Sequence, residues 1–228
     1  MYYSSLSEGS SIDPSFADNS QSSDVNISYG IGVSYALSEK LKIRSGVNNV
    51  NLSYSTGGLE LGDGPISAAL QSINYNNSGN VVVAQDIGTF AMQDSNGVFG
   101  EITPKSAGNE AFINQNISYY EVPLELSYAL VNKKFGIDVI GGVSTLFLGD
   151  NEVSVTAGEF NETLGSANNL SGLSFATNVG LGMHYNLSKK FKFNVEPMFK
   201  YQLNPYTDSA VDFQPFYVGV YTGLSFKF

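Results

Sequence analysis

The chain has 228 residues, enough for one or two domains, and it contains 24 glycines and no cysteine. The absence of cysteine excludes a disulfide framework and thiol chemistry. Its formal net charge of −10 argues against a nucleic-acid partner, which needs a basic surface. No run of about 18 apolar residues occurs, so the sequence predicts no transmembrane helix.

Seven segments alternate bulky apolar residues with small or polar residues, which is the pattern of a β-strand with two different faces. In the stretch NISYGIGVSYAL at 26–37, every second residue is Ile, Tyr, Val or Leu. In the next segment the apolar phase changes near Asn48 and Asn49, which predicts a β-bulge there. The predicted strands are Asn26–Leu37, Leu41–Ser55, Asn116–Leu130, Lys134–Leu148, Leu173–Leu187, Lys190–Leu203 and Phe216–Phe228.

The connections between these strands alternate between long loops and tight turns. The tight turns share the similar sequences LSEKLK, VNKKF and LSKKFK, whereas the longest loop spans 56–115. This alternation is typical of bacterial outer-membrane barrels, which have even numbers of strands. We therefore expect an eighth strand before the loop-like stretch 6–25, with residues 1–5 as its end. The prediction is one all-β domain over 1–228: an eight-stranded, antiparallel, up-and-down transmembrane β-barrel whose first strand is partly missing.

Composition of the second face distinguishes a membrane barrel from a soluble barrel of lipocalin type. A soluble barrel needs a charged outer face, but here the second face is mostly Ser, Gly, Ala and Asn. Small side chains suit the narrow interior of eight strands, so the bulky face is predicted to contact lipid. Aromatic residues at both ends of the strands predict two interfacial girdles. They are Tyr35, Tyr128, Phe135, Tyr185, Phe191, Phe226 and Phe228 beside the tight turns, and Tyr54, Tyr120, Phe147, Phe175, Tyr201 and Phe216 beside the loops.

These features predict a bacterial outer-membrane location, with both termini periplasmic and the long loops extracellular. The predicted partners are the lipid bilayer and lipopolysaccharide. The four loops carry 16 of the 21 acidic residues and one of the 11 basic residues, Lys105. This acidity either keeps the loops solvated or forms a site for cations or for a basic envelope protein.

Alternation also directs several charged residues to the inner face. Counted from the tight turns, Arg44 lies at a height similar to Asp138, and Glu125 at the height of Glu196. Unpaired charges would be costly in so narrow an interior, so we expect ion pairs and a filled core instead of an open pore. The predicted interior ion-pair network comprises Arg44, Glu125, Asp138, Lys192, Glu196 and Lys200.

The chain offers few residues for enzymatic chemistry. His184 is the single histidine, and it points inward close to a periplasmic turn, whereas a lipid-modifying enzyme would need it near the outer leaflet. One histidine without cysteine cannot make a zinc site of the usual kind. No phosphate-binding, nucleophile-elbow or dinucleotide motif occurs. We therefore predict no catalytic, cofactor or metal residues.

The long loop 56–115 is too long for an ordinary connection, and such loops are usually functional or disordered. The spacing of apolar residues after Pro65 predicts a short amphipathic helix over 65–73. Such a loop either folds over the mouth of the barrel or docks a partner protein. The candidate partner contacts are Ile66, Leu70, Ile73, Phe90 and Phe99.

Two stretches of the chain, one at each end, have a recognisable sequence: FNVEPMFKYQLNPYTDSAVDFQPFYVGVYTGLSFKF at 193–228 and YYSSLSEGSSIDPSFADNSQSSDVNISYGIGVSYALSEKLKIRSGVN at 2–48. Both resemble a group of outer-membrane β-barrel proteins from Bacteroidota. In that group the barrel is often the last domain of a longer chain whose upstream part resembles an anti-sigma regulator. The resemblance implies an anchor or sensor of a trans-envelope signalling protein. A plain structural or adhesive barrel of OmpA/OmpX type remains an alternative, and a lipid-modifying enzyme is disfavoured.

Overall fold

A computed structural model of the chain describes residues 1–5, 11–13, 16, 18–64, 70, 72–76, 81–86, 110–207 and 215–228. The described regular structure is made of β-strands, which confirms the predicted all-β class. No helix in this part of the chain is long and apolar enough to span a membrane. The strands are β1 (Tyr2–Ser5), β2 (Gln21–Ser23), β3 (Tyr29–Ala36), β4 (Leu41–Gly64), β5 (Ile73–Tyr75), β6 (Val81–Asp86), β7 (Ala111–Asn132), β8 (Phe135–Ala157), β9 (Phe160–Ala167), β10 (Leu173–Asn186), β11 (Phe191–Gln202) and β12 (Pro215–Phe226).

All of these strands belong to one antiparallel, up-and-down sheet. Its main order is β1-β12-β11-β10-β8-β7-β4-β2, and β3 pairs with the first part of β4. The short strands β5, β6 and β9 extend the sheet beyond the loop ends of β4 and β8. Among the described strands, β1 and β3 pair with one neighbour each, and an isolated bridge joins Tyr2 to Val25.

Several strands continue into segments that the sequence pattern assigned to loops. β4 runs to Gly64 and β7 begins at Ala111, so both ends of the predicted loop 56–115 are strand. β8 likewise continues to Ala157 and forms a hairpin with β9 inside the predicted loop 149–172. In the extensions of β7 and β8, apolar side chains recur at alternate positions and are buried, which favours continued backbone pairing. The predicted helix over 65–73 lies mostly outside the described residues, and its last residue, Ile73, begins β5.

The predicted bulge at Asn48 and Asn49 is wrong. The ladder of β4 to β3 keeps one register up to Asn49, and its ladder to β7 keeps one register from Leu41 to Thr56. The register instead shifts between Thr56 and Leu59, where Gly58 has a φ of 72°, a left-handed conformation that favours glycine. Without a bulge at Asn48, the side chains of β4 stay in phase and Tyr54 points inward, where it is 2% exposed.

The two faces of the sheet differ in chemistry as the alternation indicates. Tyr54 is therefore not part of an aromatic girdle. The remaining twelve aromatic residues that were predicted for the girdles lie on the outer face, partly or largely exposed. Val33, Leu126 and Leu181 are also exposed on that face. Between the tight turns and the loop-end aromatics, no charged residue occupies an outward position of β3, β4, β7, β8, β10, β11 or β12.

The inner face is divided into two zones along the strands. Toward the tight turns it carries charged, amide and hydroxyl side chains, whereas toward the loops it becomes apolar. Ile12 and Phe16, from the stretch before β2, complete the apolar zone. Its strand residues include Val50, Leu52, Leu59, Ile113, Ile117, Leu146, Val153 and Val155.

The apolar zone should contribute strongly to stability. Ile113, which is fully buried on β7, should lose roughly 3 kcal/mol of unfolding free energy on Ile113→Ala, because the change removes apolar contacts and leaves a cavity. Leu124→Ala on the outer face of the same strand, at a residue 55% exposed, should cost less than Ile113→Ala, because it opens no cavity among packed side chains. Urea unfolding followed by tyrosine fluorescence measures both. Equal losses would show that the inner face is not the packed one.

Candidate functional site

The most distinctive site is a cluster of charged residues on the inner face of the sheet. Four cationic and four acidic side chains project from the inner faces of β4, β7, β8 and β11 in the described residues. Because alternate residues of a strand share a face, two charges on β4, two on β7 and three on β11 all point the same way. They are Lys42, Arg44, Glu121, Glu125, Asp138, Lys192, Glu196 and Lys200.

Arg44 lies at the centre of the cluster and joins two carboxylates. Its Nη1 and Nη2 donate to the two carboxylate oxygens of Glu196 at 3.2 and 2.7 Å, a bidentate pair across the interior. Its Nε lies 3.7 Å from Glu125, its neighbour on β7. Asn178 donates to Glu125 at 3.1 Å and to the Ser144 hydroxyl at 2.7 Å. The guanidinium thus ties β4 to β7 and to β11.

Asp138 organises a second group nearer the tight turns. One carboxylate oxygen lies 3.1 Å from His184 Nδ1, and the other lies 3.9 Å from the Lys42 ammonium. Gly136 faces His184 on the neighbouring strand, and a Cβ there would overlap the imidazole ring. The buried His184 side chain of β10 can therefore lie over β8 because residue 136 has no side chain.

Lys200 and Glu121 form the most deeply buried pair, on the loop side of Arg44. The Lys200 ammonium donates to Glu121 at 2.5 Å, and both side chains are almost fully buried. Asn48 donates to the second oxygen of Glu121 at 3.0 Å. The ammonium also lies 5.1 Å from the ring centre of Tyr221, within the range of a cation–π contact.

The predicted network residues all lie on the inner face, but their contacts differ from those that the predicted heights suggested. Arg44 contacts Glu196 and Glu125 instead of Asp138. Lys200 pairs with Glu121, which was not among the predicted residues although it shares the phase of Glu125 on β7. Lys192 has no carboxylate within 4.0 Å in the described part of the chain. The two-residue alternation along β7 could have identified Glu121 as an inward residue. Which charged residues pair with each other depends on strand register and tilt, so the alternation alone could not predict the pairs.

The loop end of the interior is closed by aromatic and aliphatic packing. The Tyr54 hydroxyl hydrogen-bonds to Gln115 and shares a hydrogen bond of 2.8 Å with Ser11. Tyr206 is half-buried against the same region with its hydroxyl oxygen buried, and this burial raises the pKa of the phenol well above the usual value, so it is neutral.

Two of the predicted partner contacts of the long loop belong to this same packed region. Leu70 and Ile73 are buried within the apolar zone, which removes them from a surface that a partner protein could reach. The other three, Ile66, Phe90 and Phe99, lie outside the described residues.

The geometry of the cluster favours the stable pairing of buried charges over proton transfer. Each acidic side chain of the cluster has at least one cationic or amide neighbour, so its negative charge is compensated inside the sheet. Within the described residues, no group of three or more His, Cys, Asp or Glu side chains is placed to hold a metal ion.

No protein-family model matches the chain, and neither a curated protein nor a solved structure matches it.

Lys200 and Lys192 provide a matched test of the cluster, because both point inward from β11 and only Lys200 is paired. Lys200→Met should lower the unfolding free energy by roughly 4 kcal/mol, since the Glu121 carboxylate would stay buried without its cation. Lys192→Met should cost less than about 1 kcal/mol. Adding Glu121→Gln to Lys200→Met should restore most of the loss, because the buried charge is gone. Chemical unfolding measures all three, and equal effects of the two lysine variants would contradict the pairing.

Proposed function

We propose that this chain is a non-enzymatic outer-membrane β-barrel of eight strands that serves as a surface-exposed anchor, sensor or interaction domain. Both chain ends lie on the periplasmic side, and the loops face the cell exterior. The observation that supports the proposal is that, between the two aromatic rows, the sheet turns its charged side chains inward and exposes its bulky apolar ones. A protein folded in water shows the reverse arrangement, because burial of apolar surface drives its folding.

The extent of the apolar surface supports a lipid environment. Monomeric soluble proteins rarely expose contiguous apolar patches larger than a few hundred Å². Here exposed or half-buried Val, Ile, Leu, Phe and Tyr side chains occur at outward positions of seven strands, with no charge among the outward positions between the two aromatic rows. Such a surface would associate in water and is suited to acyl chains.

The spacing of the aromatic rows also fits a bilayer. Phe175 and Tyr185 lie ten residues apart at the two ends of β10. Ten residues of strand span about 33 Å, and a tilt of about 40° reduces the height to about 25 Å. That is the height of the apolar band in outer-membrane barrels.

A filled interior favours an anchor over a pore. The salt bridges of Arg44, Asp138 and Lys200 occupy the charged zone, and the apolar zone covers it on the loop side. Eight strands leave room for side chains and no aqueous channel. A barrel without a channel would act through its surface loops and through any protein domain or partner that is joined to it.

Acidity of the loops favours recognition of cations or of a basic envelope protein. The resemblance to barrels fused to anti-sigma-like regulators suggests that such recognition is passed across the envelope by a trans-envelope signalling protein. The alternative of the same class is a plain structural or adhesive barrel of OmpA/OmpX type. Lipid modification is disfavoured because His184 is buried against Asp138 near a tight turn, away from the loops.

Trypsin treatment of intact cells tests the topology, because Lys105 is the one basic residue of the loops. In a Gram-negative host that exports the protein, trypsin should cut after Lys105 and spare the tight-turn lysines, such as Lys133 and Lys189. Permeabilising the outer membrane should expose those turns. Lys105→Gln should abolish the cut in intact cells. Cleavage at the turns of intact cells would contradict the proposed orientation.

A further inference from the structure

The end of the sheet that carries the tight turns is basic along one side. Pairs of lysines occupy the turn between β7 and β8 and the turn between β10 and β11, and one further lysine follows β12. The side chains of all these lysines are exposed. Together they form the lysine rim, which consists of Lys133, Lys134, Lys189, Lys190 and Lys227.

Hydrogen bonds at the strand ends place the members of the rim side by side. The Asn186 backbone amide donates to the Lys134 carbonyl at 2.9 Å, and the Asn186 side chain donates to the Lys133 carbonyl at 2.6 Å. The backbone amide of Lys227 donates to the Lys190 carbonyl at 2.8 Å. Because β8, β10, β11 and β12 are consecutive in the sheet, and neighbouring strands lie about 4.8 Å apart, the rim is an arc of roughly 15 Å.

No acidic side chain compensates the positive charge of the rim. The segments that carry it, 131–137, 185–193 and 223–228, contain no Asp or Glu. None of the five lysines forms a salt bridge in the part of the chain that the structure describes. The remaining tight turn differs, because Glu39 directly precedes Lys40 there. The rim is therefore a surface that lacks its counter-charge.

Two ammonium groups of the rim lie over aromatic rings of the outer face. Lys134 Nζ is 5.4 Å from the ring centre of Tyr185, and Lys190 Nζ is 5.7 Å from the ring centre of Phe226. Both distances are in the range of a cation–π attraction. Tyr185 and Phe226 belong to the aromatic row beside the tight turns, and in the proposed barrel such a row lies at the level of the lipid headgroups. These contacts therefore hold two positive charges at that level.

We propose that the lysine rim binds anionic glycerophospholipids of the periplasmic leaflet through their phosphate groups. The inference rests on the proposed function, because it requires the bulky face to lie in a bilayer. An ammonium group has three donors, and its hydrogen bonds to phosphate oxygens are strengthened by the opposite charges. A zwitterionic lipid brings a cation of its own to the rim, whereas an anionic lipid does not. The rim therefore favours the anionic headgroup.

Charge at the other end of the sheet makes this binding one-sided. The loops carry 16 of the 21 acidic residues and a single basic residue. Each lysine near an anionic lipid surface strengthens binding by about fivefold, whereas acidic residues provide no such attraction. The preference for anionic lipid is therefore a property of the turn end.

Spin-labelled lipids test the rim in the reconstituted chain. The protein is placed in phosphatidylcholine vesicles that contain a trace of spin-labelled phosphatidylglycerol or, in parallel, of spin-labelled phosphatidylcholine. Electron spin resonance then gives the fraction of each labelled lipid that the protein immobilises. Phosphatidylglycerol should be preferred by at least about threefold, and about 1 M salt should remove most of this preference, because salt screens the attraction.

Variants of the rim distinguish its charge from the rest of the protein. Lys134→Gln combined with Lys190→Gln should lower the preference to below about twofold, because the two ammonium groups at the aromatic row are lost. Lys134→Arg combined with Lys190→Arg should retain the preference, since both charges stay. Lys40→Gln combined with Lys105→Gln removes the same number of charges outside the rim and should leave the preference unchanged.

The possible results separate this proposal from the membrane location. Equal immobilisation of the two labelled lipids by the unaltered chain would overturn the rim proposal alone. An equal loss of preference in the rim variant and in the variant altered outside the rim would overturn it as well. Immobilisation of neither lipid would contradict the membrane location and the rim proposal together.

Discussion

Charged groups that leave water must find partners, and in this chain that requirement determines which face of the sheet points inward. Glu121 has no exposed side-chain surface and pairs with Lys200, while Arg44 joins two carboxylates from different strands. Turning the sheet inside out would place these groups on the surface and bury a face of valine, leucine and aromatics. The observed arrangement leaves that apolar face without a cover from the described residues, and we propose that acyl chains provide it.

The two zones of the interior are stabilised by different interactions. Near the tight turns, salt bridges hold β4, β7, β8 and β11 in register, because each charged side chain of the cluster except Lys192 contacts a particular partner on another strand. Toward the loops, strands that continue past the aromatic row bury aliphatic and tyrosine side chains against each other and against Ile12 and Phe16. This packing orders the bases of the loops, where the proposed recognition of cations or proteins would occur.

Much of the sheet could be predicted from the sequence, because a two-residue period distinguishes the faces of each strand. The pattern misled at Tyr54, where inward apolar residues above the charged zone look the same as lipid-facing ones, so a bulge at Asn48 was inferred. Alternation also places Glu121 inward, but its partner Lys200 could not be inferred. Which charges meet across the interior depends on strand tilt and on register shifts, such as the one between Ile117 and Tyr119.

The central claim is that the bulky face of the sheet contacts lipid. Single cysteines placed along β7 from Tyr120 to Tyr128, each carrying a nitroxide label in a bilayer-reconstituted protein, test it by their accessibility to oxygen, which concentrates in the hydrocarbon. The account predicts high accessibility at the even residues, greatest near Leu124, and low accessibility at odd residues such as Glu125. A reversed phase, or free access of a water-soluble relaxant to Leu124 and Leu126, would contradict it.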